Sequence, residues 1–129
     1  MDRQASLDLI LDHYERPRNR GVLPDPTLHG ESFNPGCGDV IRITARLDSK
    51  GWIEAIRFDG QGCTISQAAA SVFTGLALGR SLTDVLAMDQ DTLIDALGRD
   101  LVIQRVTCAT LALEALRQAV RNHQEGGAT

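Results

Sequence analysis

The stretch DVIRITARLDSKGWIEAIRF (residues 39–58) decides the fold class. Its first half alternates strictly. Ile41, Ile43, Ala45 and Leu47 fall on one face, and Arg42, Thr44 and Arg46 on the other. That period of two marks a strand with one dry and one wet side. DSKG (residues 48–51) reads as a hairpin turn. WIEAIRF then returns, with Trp52, Ile56 and Phe58 expected on one side, until DGQG (residues 59–62) breaks it. The pattern predicts an antiparallel sheet that is solvated on one face.

On either side of this hairpin the period lengthens. Leu7, Ile10, Leu11 and Tyr14 make a helical stripe upstream. Pro17 ends it, because the residue before a proline disfavours helical angles. Residues 17–35 hold all four prolines and two glycines. They read as a long irregular connection with a short extended piece near residues 28–33. Downstream, TISQ (residues 64–67) has the form of a capping box, with Thr64 as cap and Gln67 reaching back. A helix of small residues follows, with Gly79 as its terminator. Short helices are expected over residues 82–88 and 92–97. A last amphipathic helix begins near Cys108 and carries Leu113, Leu116 and Val120, and residues 122–129 read as a frayed tail. No internal repeat is present. The expectation is a single α+β domain over residues 1–129, with a small antiparallel sheet of about three strands against several α-helices.

The composition narrows the function classes. The net charge of -4 offers no general attraction to a phosphate backbone, and 4% aromatics leave little surface for base stacking. Nucleic acid is therefore not an expected partner. No apolar run approaches the ~20 residues that cross a bilayer, so no membrane role is expected. The first residues carry Asp2, Asp8, Asp12 and Glu15 and lack the sections of a signal peptide. A cytoplasmic protein is expected, where thiols stay reduced. The three cysteines, an odd number, are then either packing residues or chemistry.

All three sit at joints between elements. Cys37 lies between two glycines in NPGCGDV (residues 34–40), a setting that presents a side chain rather than burying it. Cys63 directly precedes a helix, and Cys108 opens the last one. Helix N-termini carry partial positive charge and favour the thiolate, the form that bonds metal or attacks sulfur. Asp39 stands two residues past Cys37, and in extended chain such positions point to one side. Cys37, Asp39, Cys63 and Cys108 together make a set that zinc accepts tetrahedrally. The spacings alone leave each cysteine open to plain packing, and Asp39 open to a strand-start role. His13, His29 and His123 read as solvated surface residues. RPRNR (residues 16–20) is a basic cluster, either a solvated loop or a docking patch. No C-x-x-C pair suggests a dithiol oxidoreductase, and no Gly-x-Ser-x-Gly suggests a hydrolase. A zinc-stapled interaction module without chemistry also fits the residues.

LDHYERPRNRG, NPGCGDVIRI, FDGQGCTISQAAAS and RVTCATLALEAL, in this order, resemble the U-type iron–sulfur cluster assembly proteins, the IscU/SufU/NifU N-terminal group. The likeness runs from about Leu7 to Val120. It implies a small antiparallel sheet with helices packed on it and a metal site at one end, where Cys37, Asp39, Cys63 and Cys108 converge. Thr107 stands where the IscU type has a histidine. Arg105 and CATL (residues 108–111) look like the SufU type. The interval between Cys63 and Cys108 is near the shorter IscU length and lacks the usual SufU insertion of roughly twenty residues, as the resemblance frames it.

For the SufU type the resemblance implies zinc held by three cysteines and the aspartate, and a PLP-dependent cysteine desulfurase as partner. A histidine of that partner replaces the first cysteine on the metal. Cys37 then accepts sulfur as a persulfide, while Asp39, Cys63 and Cys108 retain the ion. Arg105 either steers the anionic persulfide or makes a structural salt bridge. The alternative is a scaffold on which Cys37, Cys63 and Cys108 ligate a transient [2Fe–2S] cluster for transfer to iron–sulfur acceptor proteins. The first reading makes the protein a zinc-dependent sulfurtransferase, and the second leaves it without catalysis of its own.

Overall fold

The computed structural model describes residues 2–36 and 38–127, with side chains up to residue 124. Three strands, β1 (Leu28–Asn34), β2 (Asp39–Leu47) and β3 (Ile53–Gln61), form one antiparallel sheet in the order β1-β2-β3. Helix α1 (Arg3–Glu15) precedes them. Helices α2 (Thr64–Ala77), α3 (Leu82–Leu86), α4 (Gln90–Leu97), α5 (Arg99–Val102), α6 (Val106–Ala109) and α7 (Leu111–Gly127) follow. The α+β expectation holds. No described helix is long and apolar enough to cross a membrane.

The period-two face of β2 is the floor of the core. Ile41, Ile43 and Ala45 are fully buried, as are Ile53, Ile56 and Phe58 of β3. Trp52 departs from the expected face and is 45% exposed. A register shift between Arg46 and Leu47 pairs Leu47 with Ile53. Such a bulge inverts the alternation, so Ile53 takes the inward position. On the wet face Arg42 bridges Glu31 at 3.3 Å and Asp59 at 3.8 Å, joining all three strands.

Helices cover the dry face by close approach. Helix α2 buries ten of its residues, among them Ala68, Ala69 and Ala70, which bring its backbone near the sheet and α1. Helix α7 lies across β1 at Gly30. A Cβ there would come within 2.7 Å of the Ala115 carbonyl oxygen and the Ala119 Cα. Residues 122–127, expected to fray, continue α7, and Asn122 donates to the His29 carbonyl at 3.3 Å. The expected irregular segment over residues 17–35 is partly strand, since β1 occupies residues 28–34. Its remainder is tied along the outer edge of β3. Phe58 N–H donates to the Asn19 carbonyl at 2.9 Å, and Gly21 N–H to the Phe58 carbonyl at 2.8 Å.

His13 is not the plain surface residue that the helical pattern suggests. Its Nδ1 lies 2.7 Å from the Ser71 hydroxyl, which also accepts the Arg18 amide at 2.8 Å. Burial, followed by the nearby Arg18 charge, pushes the His13 pKa below its ordinary 6.5. The neutral ring is thus favoured in the fold.

Gly30→Ala is expected to force α7 off β1 and to destabilise the protein by about 1–3 kcal/mol in chemical denaturation, the usual range for overpacking. The His13 shift sets a pH trend. Its contribution is complete above the unfolded pKa and is lost as pH falls from there through the lower folded value. Melting midpoints measured on both sides of pH 6.5 should decline toward acid, and His13→Gln should flatten that decline.

Candidate metal centre

The β1–β2 hairpin closes with Asn34 paired to Asp39, and the turn lies between them. Asn34 organises that turn from both its ends. Its Oδ1 accepts the Gly36 amide at 3.1 Å, and its carbonyl accepts the Gly38 amide at 2.8 Å. Gly38 has φ 74°, a left-handed conformation that glycine takes without a Cβ penalty. Cys37 lies outside the described residues.

Asp39 opens β2 and is 2% exposed. A carboxylate so buried needs partners. Its Oδ1 accepts the Cys63 amide at 3.0 Å, and the Cys63 thiol lies 3.5 Å from Oδ2. Cys63, rather than the expected Thr64, is the cap of α2. Its sulfur accepts the Ser66 amide at 3.4 Å, taking the place of a serine hydroxyl. The Ser66 hydroxyl turns back to the Cys63 carbonyl at 3.0 Å. Gln67 does not close a capping box. Its Oε1 instead faces Arg20.

Cys108 is buried in the one-turn helix α6, not at the start of the long helix. Thr110, with φ -111° and ψ 7°, separates α6 from α7. The Asn34 side-chain Nδ2 is 3.8 Å from the Cys108 sulfur, which links the hairpin turn to α6.

Three chain-distant elements therefore meet. Ligand atoms of Asp39, Cys63 and Cys108 lie within 4.8 Å of one another. Two sulfurs and a carboxylate oxygen suit zinc, and thiolates suit iron equally. In a zinc tetrahedron with arms of ~2.3 Å to sulfur and ~2.1 Å to oxygen, the sulfur–oxygen edge is about 3.6 Å. The Cys63–Asp39 separation of 3.5 Å matches that edge. The donor set fits such an ion.

A cleft of about 440 Å³ opens beside Cys108, between the hairpin turn and residues 103–107. Arg105 lines it with an exposed side chain and makes no hydrogen bond or ion pair to another described residue. Among the described residues no carboxylate pairs with Arg105. Thr107 is exposed on the same rim.

The family profile described as NifU-like N terminal domain matches residues 6–128. The chain belongs to that family. It is 37% identical over 150 aligned positions to the zinc-dependent sulfurtransferase SufU of Bacillus subtilis, covering 98% of this chain and 99% of that protein. It is 33% identical over 123 positions to the iron–sulfur cluster assembly scaffold protein IscU of Azotobacter vinelandii, covering 93% and 94%. A crystal structure of a SUF-system scaffold candidate from Fervidobacterium islandicum superposes with a TM-score of 0.71 at 22% identity, over 87% of this chain and 93% of that one. That likeness shows the fold. The SufU alignment runs over more positions than this chain has residues, so that relative contains segments absent here.

Sequence reasoning missed three supports of the centre: Asn34, Ser66 and Gly62. A Cβ on Gly62 would lie 2.6 Å from the Asp39 Oδ1 and 2.5 Å from the Ser66 hydroxyl. The available signals were an asparagine opening a glycine-rich turn, and a serine three residues after Cys63. Gly62→Ala is expected to displace the Asp39 carboxylate. It should lower the melting midpoint by several degrees and reduce uptake of zinc by the purified protein, checked by thermal denaturation and elemental analysis.

Proposed function

We propose that this protein acts in iron–sulfur cluster biogenesis as a sulfur acceptor, with a zinc ion held by Asp39, Cys63, Cys108 and Cys37. The meeting of the first three ligands within 4.8 Å carries the reading. Kinship with a relative named a zinc-dependent sulfurtransferase supports it. So does Thr107 at the position of the IscU-type histidine. Zinc, when bound, keeps thiols deprotonated near neutral pH without adding redox chemistry.

The chain's own residues would do the rest. Asp39, Cys63 and Cys108 are fixed by strand, cap and helix, whereas Cys37 stands between two glycines in the sequence. Cys37 is the ligand best suited to leave and react. Its thiolate attacks the outer sulfur of a persulfide on a PLP-dependent cysteine desulfurase. A new sulfur–sulfur bond forms at Cys37, the old bond breaks, and the desulfurase cysteine departs as a thiolate. Arg105 lines the cleft, its guanidinium unpaired among the described residues, and can steer the anionic persulfide. Iron–sulfur acceptor proteins lie further down the same route.

One observation favours a scaffold instead. Relatives of Archaeoglobus fulgidus named IscU scaffold proteins align over 113 residues covering 88% of this chain, without the added positions of the SufU alignment. A transient [2Fe–2S] cluster on Cys37, Cys63 and Cys108 is the corresponding reading.

Incubation with a cysteine desulfurase and L-cysteine, followed by intact and peptide mass spectrometry, separates the two. Relay expects faster desulfurase turnover and one added sulfur atom on Cys37. Sulfur found only on Cys63 or Cys108, or cluster build-up with iron and no stimulation, overturns the relay reading.

A further inference from the structure

The basic run RPRNR is not a uniform patch. Arg16 and Arg18 both engage Asp12, at 2.8 and 2.6 Å. Arg20 turns the other way. Its guanidinium donates to the Gln67 Oε1 and to the Gly60 carbonyl, each at 3.4 Å, and lies 5.9 Å from the centroid of the Phe58 ring. Its backbone is registered against Phe58 by the two hydrogen bonds along the edge of β3. Its base is therefore fixed before its side chain reaches out.

The two acceptors flank one short segment. Gly60 lies near the exit of β3, and Gln67 lies in the first turn of α2. Between them run residues 61–66, with Cys63 at the centre. The Gln67 backbone N–H also donates to the Cys63 carbonyl at 3.1 Å. Arg20 thus grips both ends of the turn that delivers Cys63 to Asp39.

Gln67 carries an independent sign of purpose. It is 5% exposed, and its buried Nε2 finds no hydrogen-bond partner among the described residues. Burying an unpaired amide nitrogen opposes folding, and an apolar side chain of similar shape would avoid it. Flipping the amide would set its nitrogen against the arginine, donor to donor. The orientation in the structure instead turns the oxygen toward Arg20, at 3.4 Å.

We propose that Arg20 and Gln67 are positioning residues that hold the Cys63 turn in its ligand-presenting geometry. The proposal rests on the metal-site reading above. A second effect acts in the same direction. Asp39, Cys63, Cys108 and Cys37, once ionised, exceed the charge of one divalent cation by two, and Arg20 carries a positive charge at the Cys63 turn.

The test compares wild type, Arg20→Met, Arg20→Lys and Gln67→Met. Three readouts are zinc release to a chelator, melting of the metal-free protein, and amide hydrogen exchange at Cys63 and Ser66. Gln67→Met is expected to melt no lower than wild type. It should nevertheless release zinc about tenfold faster, the scale of a lost outer-shell partner, and show faster exchange at both amides. Arg20→Met should likewise release zinc faster, and Arg20→Lys should fall between it and wild type. Unchanged release with unchanged exchange overturns the proposal. So does a fall in melting that parallels zinc release across all variants, which marks a merely structural contact. If wild type takes up no zinc, the metal reading fails on its own. Exchange at Cys63 and Ser66 in the metal-free variants then still decides the brace.

Discussion

One hydrogen bond ties the molecule's two halves at the site: the Cys63 amide to the buried Asp39 carboxylate, at 3.0 Å. It joins the start of the central strand to the cap of α2. Ionised carboxylates are costly to bury unless both oxygens find partners. Here the backbone amide takes one oxygen and the Cys63 sulfur lies beside the other. The same contact requires the residue before Cys63 to have no side chain, because Asp39 and Ser66 fill that space. The geometry of a cation site is thus already written in the protein's own hydrogen bonds.

The third candidate donor is placed from far away. Cys108 sits one turn ahead of α7, and α7 is seated where Gly30 lets the Ala115 and Ala119 backbone touch β1. The Asn122 contact with the His29 carbonyl extends this docking toward the other end of the helix. Packing at Gly30 therefore sets where the Cys108 sulfur falls. This explains why a site of three side chains depends on a layer of alanines and a glycine well away from it.

Much of this was legible in the sequence. Alternation in residues 39–47 gave the central strand and its buried face, and the helical stripes gave α1, α2 and α7 their places. The convergence of Asp39, Cys63 and Cys108 followed from the family motifs more than from spacing. What escaped has physical causes. The shift at Arg46 and Leu47 inverts a face without leaving any composition cue, so Trp52 was misplaced. Sulfur is outside the usual set of capping atoms, so Thr64 took the role that belongs to Cys63. The helical pattern runs unbroken through Thr110, which hid the short helix carrying Cys108. His13 was assigned to solvent because its serine partner lies on α2, beyond the reach of local pattern.

The order of the ligands along the chain has a consequence during synthesis. Asp39 and Cys63 emerge from the ribosome first, from the start of β2 and the cap of α2. Cys108 follows only after the whole helical middle of the chain, and α7 must dock before its sulfur is in place. A growing polypeptide, or one cut short, can offer a cation at most a partial grip. The full set of three donors then comes together only once α7 has found its seat.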